Sequence, residues 1–180
     1  MSDAVVELVR GDIAAVRADA IVTAANAQLS GGGGVDGAVH HAAGPDLMTE
    51  LQSHFHGCPT GSAVITGSGL LAERGVRHVV HAVGPIWRGG SRGEEELLRS
   101  AYLTALRLTD EAGARSVALP AISCGVYGYP LAEGARVALA AVRDGLASAQ
   151  SIERAIFVLY SGESYAVFKR ALDAADTSSG

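Results

Sequence analysis

Short apolar runs alternate with longer amphipathic stretches along the whole chain, and this alternation restricts the fold more than any other feature. Residues 4–9 and 20–23 read as strands, and the second run, Ala20-Ile21-Val22-Thr23, suits a strand covered on both faces. Residues 35–43 carry a helical pattern with Asp36 in its first turn, ended by Gly44-Pro45, and a second helix is expected at 46–54. Further strands are predicted at 62–66, 78–82, 116–119 and 155–160, with helices at 94–112, 131–146 and 164–173. In the long helix Leu97, Leu98, Ala101, Ala105 and Leu108 share one face, and Gly113 stops it. Strand and helix alternating to the end predict an α/β fold, a sheet with helices on both faces. No repeat or linker divides the chain, so residues 1–176 are expected to form one domain and 177–180 a flexible polar tail.

A chain of 180 residues can bury about 70% of its unfolded surface, so the core needs no staples. Cys58 and Cys124 make no disulfide framework, and Met1-Ser2-Asp3-Ala4 does not begin a secretory leader. The uncharged stretch 51–72 is broken by Gly57, Pro59, Gly61, Gly67 and Gly69, which excludes a membrane span there. A reduced, cytoplasmic protein without a membrane partner is expected. Fourteen basic against 19 acidic side chains argue against nucleic acid as the main partner. A phosphorylated ligand remains compatible, because backbone amides bind anions unaided. Lys169 is the only lysine.

In such folds ligands sit beyond the carboxyl ends of the strands. The loops of interest are therefore 11–13, 26–37, 123–128 and 160–165. Ser30-Gly31-Gly32-Gly33-Gly34-Val35-Asp36-Gly37 is the most informative. Four successive glycines cost backbone entropy, and close approach of amides to an anion at a helix N-terminus would justify them; a flexible turn is the plain alternative. Gly32, Gly34 and Gly37 also fit a dinucleotide spacing, but a tetraglycine fits many patterns and these lie well beyond the strand ending at Thr23. No Gly-Lys-Ser/Thr follows, which excludes a nucleoside-triphosphate P-loop. Asp36 is either a general base, since a carboxylate beside a pyrophosphate becomes more basic, or a partner of the helix dipole.

The segments Gly11-Asp12-Ile13, 19–26, Gly31 to Gly37 with Ala38-Val39-His40, 57–63, His81-Ala82-Val83-Gly84-Pro85 and Ser123-Cys124-Gly125-Val126-Tyr127-Gly128-Tyr129-Pro130 together resemble the macrodomain family. The similarity runs through nearly the whole chain in order and is nearest to the MacroD-type ADP-ribosyl hydrolases. It implies a three-layer α/β/α domain with a mixed, about six-stranded sheet and an ADP-ribose cleft. Asp12 would then take the adenine amino group and the Ile13 amide a ring nitrogen. Gly32, Gly33, Gly34 and Val35 would wrap the pyrophosphate from one side, and Ser123, Cys124, Gly125, Val126 and Tyr127 from the other. Asn26 would hold the distal ribose, with Tyr127 closing over it. Asp36 would activate a water or orient the ribose, and His40, one turn later on the same face, would tune it. Tyr160 would stack on adenine, with Tyr165 as its neighbour. The implied substrates are ADP-ribose esters: mono-ADP-ribosylated acidic residues of proteins, O-acetyl-ADP-ribose, or both. No cofactor and no metal is implied.

Thr23 and Cys124 depart from the family pattern, which usually has Asn and Thr there. Thr23 cannot reproduce both hydrogen bonds of an amide, and this keeps a non-catalytic ADP-ribose reader as the alternative. A nicotinamide-dependent oxidoreductase would rest on the glycine spacing alone. Cys124 lacks the partner histidine a nucleophile needs, and His54, His56 and Cys58 read as a helix end and loop rather than metal ligands. His78 and His81 read as ordinary partly buried residues. Trp87 and Arg88 fit either the cleft rim or a cover on the core.

Overall fold

The computed structural model describes residues 3–178. Strands β1 (Val5–Arg10), β2 (Ala20–Ala24), β3 (Ala63–Thr66), β4 (His78–Ala82), β5 (Ser116–Leu119) and β6 (Arg154–Leu159) form one sheet in the order β1-β6-β5-β2-β4-β3. All neighbours are parallel except β3 and β4. The apolar run of β2 is explained by its place: it is paired on both edges, and Ala20, Ile21, Val22 and Thr23 are wholly buried.

Side chains alternate across the sheet and feed two cores. Val22, Val80, Val117 and Phe157 face helices α3 (Glu94–Glu111), α4 (Leu131–Ala147) and α5 (Gly162–Ser178), where Phe157 packs between Tyr102 and Phe168 at ring separations of 6.0 and 5.3 Å. Ile21, Val79, Ala118 and Ile156 face the opposite layer, built from α1 (Gly34–Ala43), α2 (Pro45–His54) and 3₁₀ segments at Ile13–Ala15 and Gly69–Arg74. The expected α/β/α layering is thus present, and the sheet is mixed because of β3.

Element boundaries differ where caps decide them. Pro45 does not merely end α1. It opens α2, where its missing N–H costs nothing. Tyr160 falls just past β6 instead of ending it. The last helix starts at Gly162 and continues through Thr177 and Ser178, so those two residues of the expected tail are helical. Ser179 and Gly180 lie outside the described residues, as do Met1 and Ser2 of the segment read as lacking a leader. Among the described residues no helix is long and apolar enough to cross a membrane.

The chain leaves β2 for α1 on one face and β5 for α4 on the other. Because β2 and β5 are neighbours, their outgoing loops diverge and open a crevice at the carboxyl ends of the strands. The β5 loop is fixed from below. The fully buried Tyr102 hydroxyl donates to the Pro120 carbonyl at 2.7 Å and accepts the Ile122 N–H at 2.9 Å. Tyr102→Phe keeps the ring but leaves the Ile122 N–H and Pro120 carbonyl only their own 3.1 Å contact. The expected loss is about 1–2 kcal/mol of unfolding free energy. Denaturant titration measures it, and an unchanged midpoint would contradict the bridge.

Candidate active site

Two adjoining cavities of about 950 and 350 Å³ occupy this crevice and share Gly34, Val35, Ala121 and Gly125 along their boundary. Together they form one cleft, wide at the β6 end and narrow behind the glycine loop. Its charged lining groups are Asp12, Glu163 and Asp36; no lysine or arginine lines either part. Any anion held here is held by main-chain dipoles.

The wide end lies over β1 and β6. Asp12 caps the first 3₁₀ segment, its Oδ1 accepting the Ala14 N–H at 2.9 Å, and Ile13 beside it is buried. Tyr160, released from β6, is 81% exposed and lines the same cavity, leaving one ring face free for a flat partner. Tyr165 is packed against the main core and does not line the cleft.

Between the two ends the walls are backbone. The glycine loop enters α1 with Gly33 as N-cap and no side-chain cap, so the first-turn amides and the helix dipole face the cleft unsatisfied. A Cβ on Gly37 would lie 2.6 Å from the Gly32 carbonyl, so glycine is required for the loop to fold back on its helix. Opposite, the amides of Gly125, Val126 and Tyr127 make no hydrogen bond among the described residues, and these residues line the narrow cavity with Ser123. Ser123 has φ +67° and a buried hydroxyl without a partner, a strained conformation of the kind found in binding loops. Gly84 permits it, since a Cβ there would meet the Ser123 Oγ at 2.2 Å. Cys124 is half-buried, and burial raises its pKa to about 11. Its thiol stays protonated at neutral pH, which disfavours a nucleophile. Trp87 proves to be a cover: its ring packs at a tilt against Tyr129, 4.7 Å between centroids, and its backbone N–H donates to the Tyr127 carbonyl.

At the narrow end Asn26 lines the cavity with its amide engaged by the glycine loop. Its Nδ2 donates to the Ser30 hydroxyl and the Gly31 carbonyl, both at 3.0 Å, and its Oδ1 accepts the Ser30 N–H at 3.0 Å. It staples the glycine loop. Asp36, 5% exposed, lines the cavity from the first turn of α1. Its Oδ1 accepts the Thr23 hydroxyl at 2.9 Å and faces His40 Nε2 at 3.5 Å. Thr23 is therefore the carboxylate's buried anchor, and the smaller side chain is a fitted partner for Asp36 instead of a missing support.

His81 requires a correction. It is wholly buried, and its ring lies 5.9 Å from that of His40. The Thr66 hydroxyl donates to the Gly67 carbonyl at 2.9 Å and so accepts from His81 Nε2, also at 2.9 Å, which assigns the Nε2–H tautomer. Its Nδ1 is left buried without a partner. Burial lowers the His81 pKa to about 4, against a smaller opposing pull from Asp36. A His one residue from the end of a strand gives no signal of this, because what matters is the α1 face across from it. Asp36, His40 and His81 also form a group whose ligand-type atoms lie within 4.8 Å of one another. Carboxylate and imidazole suit zinc; here threonines engage Asp36 Oδ1 and His81 Nε2, and the buried Nδ1 atoms of His40 and His81 have no partner.

The buried neutral His81 makes stability depend on pH. Between pH 6.5 and about 4 the unfolded chain accepts a proton that the folded protein refuses, so stability is full above 6.5 and falls as the pH drops through that window. The expected loss from this group is about 3 kcal/mol. Denaturant midpoints of wild type and His81→Gln from pH 7 to 4 check it: the variant's profile should be flatter, and parallel profiles would contradict the assignment.

Residues 22–138 match the model of the Macro domain family. The chain is 47% identical to a macro domain-containing protein of Caldanaerobacter subterraneus subsp. tengcongensis over 95% of its length and 97% of that protein. It is 46% identical to the O-acetyl-ADP-ribose deacetylase of Escherichia coli, covering 93% of this chain and 94% of that one. Among solved structures, the Oceanobacillus iheyensis macrodomain with ADP superposes with TM-score 0.89 at 37% identity, covering 98% of this chain and 94% of that one. The Trypanosoma brucei macrodomain in complex with ADP-ribose gives 0.83 at 36% identity, covering 93% and 68%. Cleft, loops and similarity agree, and the chain belongs to the macrodomain family.

Proposed function

We propose that this protein is a MacroD-type hydrolase of ADP-ribose esters, acting on O-acetyl-ADP-ribose and on mono-ADP-ribosylated acidic side chains of proteins. The observation that carries the reading is the buried Asp36 at the narrow end of a cleft walled by unsatisfied amides. Relatives named O-acetyl-ADP-ribose deacetylase support it, as do macrodomain structures with ADP and ADP-ribose.

Adenine lies at the wide end, stacked on Tyr160, with its amino group at Asp12 and a ring nitrogen at the Ile13 amide. The pyrophosphate lies between the amides of Gly32 to Val35 and those of Ser123 to Tyr127, where opposed dipoles bind it without a cation. The distal ribose reaches the narrow end beneath Tyr127. Asn26 serves it by holding the glycine loop in place. Thr23 and His40 occupy one oxygen of Asp36 and leave the other to take a proton from water, which the ligand's phosphate also polarises. Water then adds to the ester, and a carboxylic acid and ADP-ribose separate. His40 keeps Asp36 Oδ1 in place at 3.5 Å, and neutral His81 stands behind it.

Two variants test this. Asp36→Asn preserves shape and removes the base, so kcat/KM for O-acetyl-ADP-ribose should fall about 10²- to 10⁴-fold while the ADP-ribose Kd stays within a few-fold. Equal rates would remove Asp36 from the mechanism; tight binding by the wild type without turnover would make the protein a reader. Gly37→Ala should displace the Gly32 carbonyl and weaken calorimetric ADP-ribose binding about tenfold, with helix content unchanged.

A further inference from the structure

We infer that Arg88 and Arg92, on the loop between β4 and α3, form a docking site for an acidic polypeptide segment around the modified residue. The inference rests on the reading above and concerns the substrate class at the same site.

The loop is a built feature. Glu94, 2% exposed at the start of α3, accepts the backbone N–H groups of Arg88, Gly90 and Arg92 at 2.9, 2.8 and 2.6 Å. These bonds hold its pKa down at about 2, so the carboxylate is ionised and saturated. It grips the main chain of both arginines and has no capacity left for their guanidinium groups. Trp87 then joins the loop to the cleft wall through its bond to the Tyr127 carbonyl, and Tyr127 and Gly84 line the narrow cavity beside Asp36.

Both arginines are exposed, and neither guanidinium makes an ion pair or hydrogen bond among the described residues. Elsewhere the chain pairs its cations freely: seven of the 14 Lys and Arg side chains bridge to carboxylates. The neighbouring Glu95 is already taken by Arg136. A loop carrying two unpaired guanidinium groups therefore stands beside the narrow end of a cleft whose own charges are all acidic. The remainder of a protein substrate must leave the cleft there, since the ester sits at that end. Acidic residues flanking a modified glutamate or aspartate supply the complementary charge. Val126, fully exposed on the narrow cavity's wall, suits a polypeptide side chain better than a phosphodiester backbone. Two cations on a chain of net charge -5 are also far short of a nucleic-acid footprint.

The test compares wild type with the Arg88→Ala/Arg92→Ala double variant on four ligands. They are O-acetyl-ADP-ribose, a protein carrying mono-ADP-ribosyl-glutamate flanked by acidic residues, the same protein with lysine flanks, and a 5′-ADP-ribosylated DNA strand. For the acidic-flanked protein kcat/KM should fall roughly three- to tenfold, mainly through KM, and the wild-type advantage should shrink as salt rises. Turnover of O-acetyl-ADP-ribose and of the lysine-flanked protein should stay within twofold. An unchanged acidic-flanked rate, or an equal fall on all substrates, overturns the docking site while leaving the hydrolase reading intact. A larger loss on the DNA strand than on the acidic protein overturns it in favour of a nucleic-acid surface. If the wild type cleaves no ester, the hydrolase reading fails and docking is read from binding. The acidic-flanked protein should then bind several-fold tighter than free ADP-ribose only when both arginines are present, and equal affinity overturns the docking site.

Discussion

A cleft that attracts anions with main-chain amides works only while that main chain is held still. A lysine can swing to meet a phosphate, whereas an amide dipole must already point at it. The rest of the site follows from this constraint. Each loop around the cleft is held from behind by one polar side chain that spends its hydrogen bonds on backbone. Asn26 fastens Ser30 and Gly31, Tyr102 fastens Pro120 and Ile122, and Glu94 fastens Arg88, Gly90 and Arg92. Gly37 and Gly84 complete the arrangement by permitting approaches that any Cβ would block.

The same logic governs Asp36. A carboxylate this deeply placed is costly unless paired, and its partners come from different layers: Thr23 from β2 and His40 from its own helix. His81 on β4 and Thr66 on β3 extend the network through the sheet. The site is thereby tied to the sheet's interior, and a change in any of these strands reaches the carboxylate. The orphaned Nδ1 of His81 is a cost the fold bears next to its most buried charge.

Much of this was legible in the sequence, and the division has a physical basis. Period and punctuation reveal elements, so β2, the glycine-opened α1 and the amphipathic α3 were readable, as was the crevice that alternating strands and helices create. Asp36 with His40 was readable because residues four apart on a helix share a face. Contacts between distant segments leave no local trace. Thr23 looked like a deficit because its partner lies across a loop, and His81 looked ordinary because its neighbours sit on α1 and β3. Asn26 lines the narrow cavity, as a ligand contact would, but nothing in a polar side chain says that its amide also holds backbone. Glu94 passed as one more acid in a helix's first turn, although its three amide partners lie within six residues. The bend that brings them together needs the anchoring of Trp87 on a separate loop.

Charge explains why amides rather than cations line the cleft. A lysine able to reach a pyrophosphate between α1 and the β5 loop could also reach Asp36, whose cavity adjoins that space. The resulting ion pair in a poorly solvated pocket would hold the carboxylate's second oxygen and suppress its basicity. Fixed dipoles bind the phosphate and cannot migrate to the base. The chain keeps its arginines outside the cleft, six of the 13 in surface pairs of the kind that add little stability. The acidic lining then excludes anions too large or misshapen to meet the amides, because nothing else in the cleft attracts them. On the proposed reading, selectivity for a diphosphate arises from where the cations are not, and the unpaired Arg88 and Arg92 stand at the rim, where they act on what the ligand is attached to.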